Sequence, residues 1–260
     1  MRIIILGNKG GVGKSTVGLL LAKRLCELGK TVLLVDRDQI GYASWLVGIK
    51  RKGLIASVVD REEGDYFVEK RIGSGNLQVL KFYGDGPRLR EDVRLIISDP
   101  KLKRAFSQRY QEVLSLGHDF IILDNKSTTF PFNEEIKLEL DAYTDRFPNT
   151  RSYRVFVTDP FQLNIENTIF FARKLNEEEV LHNLPVRVVG QTLVINMIPT
   201  TRMEEMRNLV KELGNLFSSV IFIPFLDELF SFKGSIDQLP EVDEINDLVT
   251  LIQRVEMFPE

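Results

Sequence analysis

The 260-residue sequence contains a single cysteine, Cys26, and only two histidines. One thiol cannot form a disulfide within the chain, which fits a reducing compartment. It also cannot supply the thiolates of an iron–sulfur cluster or a zinc finger, and two chains would together bring only two. His118 and His182 are distant in sequence and lack ligand spacing, so we expect no metal site built on histidine.

Long apolar runs are also absent, because no stretch reaches the ~18–20 residues that span a bilayer. The chain opens directly into residues 2–6, a run that is too short for a signal peptide and lacks a cleavage site. The formal net charge of −3 does not indicate a nucleic-acid binder, although a local basic patch could still exist. The last helical pattern, residues 242–255, has an acidic polar face that an anionic membrane would repel. We therefore expect a cytoplasmic protein that makes no membrane contact and whose final helix docks on the core.

Aliphatic runs alternate with helical patterns along the chain. Strands are expected at residues 2–6, 31–35, 76–82, 120–123, 154–158, 193–195 and 220–223, and helices at 14–28, 101–116, 162–177, 203–214 and 242–255. This alternation predicts an α/β fold of three layers, a mostly parallel twisted sheet flanked by helices. No linker divides the chain, so we expect residues 1–260 to form one domain. Residues 137–152 are polar without clear periodicity, and we interpret them as a surface excursion, either a loop or a partner surface.

A glycine-rich segment follows the first strand. It reads Asn8-Lys9-Gly10-Gly11-Val12-Gly13-Lys14-Ser15-Thr16. Glycines let the backbone turn so that successive amides, from Gly10 to Thr16, point inward, and the positive end of the next helix completes a nest for phosphates. Lys14 should reach the β- and γ-phosphates of a nucleotide, and the Ser15 hydroxyl should bind Mg²⁺. The alternative is a glycine-rich turn with a surface lysine, but the preceding strand and following helix are the context that this phosphate loop requires.

Lys9, together with Gly10, Gly11, Lys14 and Ser15, matches the deviant pattern Lys-Gly-Gly-x-x-Lys-Ser/Thr and resembles the ParA/MinD group of P-loop ATPases. In that family the additional lysine reaches across a dimer to the partner's nucleotide. The resemblance implies a P-loop NTPase fold, ATP and Mg²⁺ as cofactors, and an ATP-dependent homodimer. In that dimer Lys9 would neutralise charge on the transferring phosphoryl group. The alternative is that Lys9 is a solvated charge beside the loop.

The resemblance extends to two aspartate-bearing strand ends. Residues 32–38 look like the family's second strand and its Asp-x-Asp turn, in which the second aspartate, here Asp38, positions the attacking water. Asp36 ends the strand, so capping of the next turn is an open alternative for it. Residues 119–124 look like a Walker B strand whose Asp124 would bind Mg²⁺ through water, although apolar runs ending in aspartate occur in any α/β protein.

Three shorter segments complete the comparison with the family. Residues 39–44 are similar to its first switch. Asn196 stands at a strand end whose asparagine reads the adenine edge, and Pro224 lies in a segment that resembles the loop covering the base. The chain departs from the pattern at residues 125–130, where the glycine and proline of the family's second switch are missing. This departure leaves the hydrolysis rate and the coupling to partners open.

The resemblance implies a Mg-ATP-binding, slowly hydrolysing switch in DNA or plasmid partitioning or positioning. A regulatory protein and non-specific DNA are the partners it suggests. Arg202, Arg207 and Lys211 could form a phosphate-contacting face or merely a solvated helix surface. The alternatives are a nucleotide-binding scaffold with little or no hydrolysis, a metal-cluster carrier, which the lack of paired cysteines disfavours, and a small-molecule kinase, for which we find no substrate-pocket signature.

Overall fold

Eight strands form a single sheet in the computed structural model, which describes residues 1–38, 41–83, 85–182, 184–210 and 216–257. The strands are β1 (Arg2–Leu6), β2 (Thr31–Arg37), β3 (Phe67–Ile72), β4 (Gly75–Lys81), β5 (Phe120–Asn125), β6 (Arg151–Thr158), β7 (Arg187–Ile198) and β8 (Ser219–Pro224). The α-helices are α1 (Lys14–Glu27), α2 (Tyr42–Leu46), α3 (Leu54–Val59), α4 (Leu89–Ser98), α5 (Pro100–Ser115), α6 (Glu134–Arg146), α7 (Gln162–His182), α8 (Met203–Val210), α9 (Asp227–Phe230) and α10 (Asp243–Met257).

The strand order is β3-β4-β2-β5-β1-β6-β7-β8, and every neighbouring pair is parallel except the β3–β4 hairpin. The predicted α/β fold with a mostly parallel sheet flanked by helices is therefore confirmed. Strands β1, β2 and β5 are neighbours, so their carboxyl ends meet at one edge of the sheet. In this register Asp36 of β2 lies opposite Asp124 of β5, which places two carboxylates side by side.

Side chains on β1 alternate between the two helical layers, because successive residues of a strand point to opposite faces. Ile3 and Ile5 share a core with Val17 of α1, while Leu6 packs on the other face with Ala172 of α7. Helix α10 docks on the α1 side through Ile245, Leu248 and Ile252, as its apolar stripe indicated. Within the described ranges no helix has both the length and the apolar character needed to cross a bilayer.

The interpretation of residues 137–152 as an irregular excursion is wrong. Helix α6 covers Glu134–Arg146, and β6 starts at Arg151. Ile136, Leu140 and Tyr143 do follow the helical period on the buried side of α6. The fully buried Glu139 stands among them and breaks the hydrophobic pattern, which explains why the helix was not recognised.

A buried ionic cluster explains why a carboxylate lies inside α6. Arg2 donates to Glu139 through both terminal nitrogens, at 2.9 and 2.7 Å, and Arg37 donates to the same carboxylate at 2.9 Å. Tyr110 donates to Glu139 at 2.6 Å, and Arg37 also donates to Asn125 at 2.6 Å. Burial alone would raise the pKa of Glu139, but the two guanidiniums and the phenol outweigh burial and hold the pKa below its usual range. The cluster therefore ties α6 to β1 and β2.

His118 makes stability depend on pH in a defined window. It contacts the Phe147 ring, its Nε2 lies 3.1 Å from the Tyr143 hydroxyl, and burial lowers the pKa of His118 to about 4. The unfolded pKa is about 6.5, so the unfolded chain takes up the proton more readily than the folded chain between these values. We expect the titration of His118 to contribute a fall of about 1–3 kcal/mol to the free energy of unfolding as the pH drops from about 6.5 to 4.

Urea unfolding at pH 7 and pH 5 tests this expectation. His118→Phe removes this titration, so the change in its free energy of unfolding between the two pH values should differ from that of the wild type by the His118 contribution; His182→Gln, a change at the half-exposed second histidine, is the control. Equal slopes for His118→Phe and the wild type would contradict the assignment.

Candidate functional site

The glycine-rich loop between β1 and α1 places backbone amides at the start of a helix. Gly11 and Gly13 have left-handed φ angles of 77° and 92°. A Cβ on Gly13 would lie 2.2 Å from Nδ2 of Asn196, so the close approach of that side chain requires glycine here. Gly13 is the N-cap of α1 and has no side chain to accept from the first turn. No side chain of the N-cap therefore occupies the first amides of α1, which is compatible with the predicted binding of an anion there.

Lys14 folds back over the loop. Its Nζ donates to the carbonyl oxygen of Lys9 at 2.9 Å and to the Ser127 hydroxyl at 3.2 Å. The side chain is only 5% exposed. Burial lowers the pKa of Lys14, whereas the nearby Asp124 and Asp38 carboxylates act in the opposite direction. The ammonium is thus held at the loop by two neutral acceptors, which phosphate oxygens would replace with charged ones.

Asp36 performs the structural role that the sequence left open. Its Oδ2 accepts from the backbone amide of Ser44 at 2.8 Å and from the Ser44 hydroxyl at 2.6 Å. The Asp38 amide donates to the other oxygen at 3.3 Å. Asp36 therefore fixes the chain at the end of β2 and the start of α2. Residues 39 and 40, the first two of the predicted first switch, lie outside the described residues.

Asp124 has the opposite character. It is 1% exposed, and among the described residues neither of its carboxylate oxygens has a hydrogen-bond partner. Burial above all, and then the neighbouring Asp36 and Asp38 carboxylates, raise the pKa of Asp124 to about 8, although the nearby Ser15 hydroxyl and Lys14 ammonium act in the opposite direction. Uncommitted carboxylate oxygens beside a hydroxyl are ligands that suit Mg²⁺. The described residues contain no group of three or more His, Cys, Asp or Glu side chains placed to hold a metal ion. The donors present therefore fit an ion held by few protein ligands together with phosphate oxygens.

Lys9 lies at the outer edge of the loop. Its Nζ is 3.3 Å from Oδ2 of Asp159, and the side chain is 51% exposed. Asn164 donates to both oxygens of Asp159, at 2.7 and 2.9 Å, so the aspartate remains hydrogen-bonded without the lysine. Exposed ion pairs are worth about 0–1 kcal/mol, so the Lys9 ammonium is easily released.

Asn196 reaches the phosphate loop directly. Its Nδ2 donates to the Val12 carbonyl at 3.0 Å, and the side chain is 7% exposed. Pro224 ends β8 opposite Ile198 of β7. Phe225, which follows Pro224, pairs at a tilt with Phe230, and the rings are 40% and 80% exposed. The structure therefore brings Asn196 to the loop and places an exposed aromatic pair next to Pro224.

The segment after β5 is hydrogen-bonded to the glycine-rich loop. The sequence did not predict these contacts. Thr128 has a left-handed φ of 53°, its amide donates to the Gly7 carbonyl at 2.9 Å, and its hydroxyl donates to the Asn8 carbonyl at 3.1 Å. Asn8 does not have a left-handed φ angle. Its side-chain Oδ1 accepts a hydrogen bond from the Thr168 hydroxyl. Ser127 and Thr128 are thus loop contacts. The only signal in the sequence was their place immediately after the Walker B strand.

Residues 1–131, half of the chain, match the model of a protein family described as an AAA domain. The chain belongs to this family, as a ParA/MinD-like P-loop ATPase. A chromosome partitioning protein ParA from Myxococcus xanthus is 32% identical over 126 residues, which cover 47% of this chain and 44% of that protein. An iron-sulfur cluster carrier protein from Pyrococcus horikoshii is 28% identical over 124 residues, which cover 47% of this chain and 42% of that protein. The matched part therefore spans less than half the length of either relative.

Solved structures share the fold over almost the whole chain. The cell division ATPase MinD of Pyrococcus furiosus has a TM-score of 0.61 at 19% identity, with 98% of each chain covered. A putative plasmid partition protein from Borrelia burgdorferi, bound to AMPPNP, has a TM-score of 0.61 at 18% identity, with 99% of each chain covered. The septum site-determining protein MinD of Pyrococcus horikoshii, complexed with Mg-ADP, has a TM-score of 0.57 at 17% identity, with 96% of each chain covered. These likenesses establish the shared fold.

The unpaired Asp124 carboxyl of this ParA/MinD-like chain should cost stability in the absence of metal. Its folded pKa of about 8 lies above the unfolded value of about 3.9, so stability declines as the pH rises between them. We expect Asp124→Asn to raise the free energy of unfolding by about 1–3 kcal/mol at pH 7 without metal or nucleotide, and the gain should shrink towards pH 4.

Urea unfolding in chelator-treated buffer tests the gain in stability. Asp141→Asn, a change at an exposed residue of α6, is the matched control and should leave stability unchanged within about 0.5 kcal/mol. If Asp124→Asn were less stable than the wild type under these conditions, the buried Asp124 carboxylate would not destabilise the fold, and the expectation would be contradicted.

Proposed function

We propose that residues 1–260 form one ATPase domain that binds Mg-ATP in the glycine-rich loop and hydrolyses it slowly. In this proposal the chain is a partner-regulated switch, in the cytoplasm, that serves DNA or plasmid partitioning or positioning. The observation that carries the proposal is the meeting, at one edge of the sheet, of the buried Lys14 ammonium and the uncommitted Asp124 oxygens. The partitioning role is supported by the ParA relative and the plasmid partition structure with AMPPNP.

The proposed residue roles follow from the geometry of the loop. The amides of residues 10–16 hold the phosphates, and Lys14 exchanges its two neutral acceptors for the β- and γ-phosphates. Ser15 and Asp124 would hold Mg²⁺, which supplies charge neutralisation on the phosphates when bound. Asp38, two residues beyond the capping Asp36, orients the attacking water. Asn196 and Pro224 contact the base, with Asn196 already fixed against the loop.

Lys9 provides the sharpest test, because its proposed role requires a second chain. Its half-exposed ammonium and weak pairing with Asp159 leave it able to reach a partner's nucleotide. We expect Lys9→Ala to abolish AMPPNP-dependent dimerisation, measured by analytical ultracentrifugation, and to lower hydrolysis at least about 100-fold, since a charge supplied in trans has effects of this order. Binding of Mg-ADP by the monomer should stay within about threefold.

Lys174→Ala is the matched control, because Lys174 is also about half exposed and pairs with a single carboxylate, that of Glu177. It should dimerise and hydrolyse like the wild type. If Lys9→Ala also kept both properties, the proposed homodimer, in which Lys9 reaches the partner's nucleotide, would be excluded and Lys9 would be a solvated charge.

A scaffold that binds nucleotide with little hydrolysis is the second candidate function. The observation in its favour is the segment 126–129, which lacks glycine and is hydrogen-bonded to the loop through Thr128. Phosphate release at background level in the presence of DNA and partner proteins, with intact Mg-ATP binding, would select this function over the first.

The structure also gives information about two further ligands, DNA and an iron–sulfur cluster. Arg202 donates to both oxygens of Glu205, at 2.9 and 2.8 Å, which favours a solvated helix face over a phosphate-binding one, and Lys211 lies outside the described residues. Filter binding with and without ATP across salt concentrations tests DNA binding.

Burial raises the pKa of Cys26 to about 12, so this thiol is a poor cluster ligand. This supports the absence of a cluster, although an iron-sulfur cluster carrier protein is among the relatives.

A further inference from the structure

A cavity lies on the face of the sheet opposite α1, beneath helices α6 and α7, and its lining is mostly apolar. Its volume is about 50 Å³, and Ile4, Leu140 and Leu175 form part of its apolar wall. A water needs about 10–15 Å³ of such space, so the cavity accommodates roughly three or four oxygen-sized atoms. The polar wall comes from β1, β2 and β6. It consists of Arg2, Arg37, Ser152 and Arg154, of which none is more than 3% exposed.

Positive charge exceeds negative charge around this cavity. Arg2 and Arg37 share the single carboxylate of Glu139. Arg154 pairs with Glu179 at 3.0 Å. Three guanidiniums therefore meet two carboxylates, and a guanidinium does not lose its proton in a protein. Burial lowers the pKa of Arg154, although the Glu179 carboxylate acts in the opposite direction. A buried excess charge of this kind is costly unless a counter-ion balances it.

Unpaired donors concentrate in the same place. Among the described residues, Nε of Arg2, Nε of Arg37, Nε of Arg154 and Oγ of Ser152 have no hydrogen-bond partner. Buried polar atoms are almost always paired, so four unpaired donors on side chains that line one cavity indicate that acceptors are missing beside it. Guanidinium N–H groups and a hydroxyl are the donors that bind the oxygens of an anion.

We propose that the cavity binds a small oxyanion, with three or four oxygens, between the three guanidiniums and the Ser152 hydroxyl. Such an ion matches the volume, supplies the acceptors and cancels the excess positive charge. The wall formed by Glu179, Leu184 and Val186 is partly exposed and provides the route from solvent. This site is separate from the phosphate loop, and the inference holds whether or not the chain hydrolyses ATP.

Thermal unfolding of the full chain in sodium phosphate, at ionic strength held constant with sodium chloride, tests the site. Saturating Mg-ADP fills the phosphate loop so that phosphate does not bind there. We expect Tm to rise by about 3 °C for each tenfold increase in phosphate above its dissociation constant. Parallel series with sulfate and bicarbonate identify which oxyanion fits best.

Two variants locate the binding. Ser152→Ala removes a hydroxyl that has no partner among the described residues, so it should fold normally and lose at least half of the phosphate-dependent shift. Arg154→Gln should lose nearly all of it, and if that variant fails to fold, Ser152→Ala alone decides. Arg151→Gln is the control on the same strand, because Arg151 does not line the cavity and donates instead to the Glu256 carbonyl, and it should keep the full shift.

Three outcomes would overturn the site. The first is an absence of oxyanion-dependent stabilisation of the wild type with all three ions. The second is an equal shift in the wild type and Ser152→Ala, which would place the binding elsewhere. The third comes from anomalous diffraction at the selenium edge on crystals grown with sodium selenate, if the map shows only waters between the guanidiniums. An anomalous peak there, together with loss of the shift in Ser152→Ala, would support it.

Discussion

Replacement of Lys14 by alanine is expected to lower the affinity for Mg-ATP at least about 100-fold, because truncation of a buried, hydrogen-bonded charge costs about 2–5 kcal/mol of binding free energy. The ammonium already lies at the loop, held by the Lys9 carbonyl and the Ser127 hydroxyl, so little reorganisation precedes binding. Its largely buried position strengthens each electrostatic contact with phosphate oxygens. Isothermal titration calorimetry with Mg-ATP and Mg-ADP measures the loss.

Lys23→Met is the matched control for this change. Lys23 lies on the same helix, is 7% exposed and pairs with Glu27, so its removal tests the loss of a buried lysine without touching the loop. Mg-ATP affinity within about threefold of wild type is expected for this variant. Comparable affinities for Lys14→Ala and the wild type would remove the basis of the proposed nucleotide site.

The second large effect concerns stability. Glu139→Gln should lower the free energy of unfolding by about 3–5 kcal/mol, because it leaves Arg2 and Arg37 buried without a carboxylate. The corresponding fall in Tm is on the order of 10 °C for a chain of this size. Urea unfolding at pH 7 and differential scanning calorimetry measure both quantities.

Glu134→Gln controls for the loss of a negative charge from the same helix, since Glu134 is exposed at the first turn of α6. Its stability should remain within about 0.5 kcal/mol of the wild type. A loss below about 1 kcal/mol in Glu139→Gln would mean that the two arginines find other partners or water, and that the cluster is not what ties α6 to the sheet.

The central part of the fold was predictable because its strands are covered on both faces. Such strands have nearly continuous aliphatic sequences, as in residues 3–6 and 120–123. Both were predicted as strands from the sequence. The glycine-rich segment was equally clear, because its chemistry is local and its required neighbours, a strand and a helix, adjoin it directly. The resemblance also identified the strand ends that carry Asp36 and Asp124, and the structure places both at the same edge of the sheet.

Features that depend on distant partners were hidden. In the sequence Glu139 has the character of a surface residue, because the two arginines that pair with it lie more than 100 positions away. Helix α6 was missed for that reason. Strand β3 was missed because it is a hairpin edge whose exposed side carries charged residues such as Glu69 and Arg71. Thr168 and Asp159 reach the loop across 150 or more residues, a distance over which spacing carries no information.

The alternation of side chains at the end of β2 determines where insertions and deletions can be tolerated. Because successive residues face opposite sides of the sheet, Asp36 accepts from Ser44 at the start of α2 on one face, while Arg37 belongs to the buried cluster and cavity on the other. Deletion or insertion of one residue within β2 would exchange the two faces, bringing a guanidinium towards the capping position and a carboxylate among apolar walls. Length variation should therefore be tolerated in the exposed turn at residues 61–65, and rejected within β2 even where every aliphatic residue is retained.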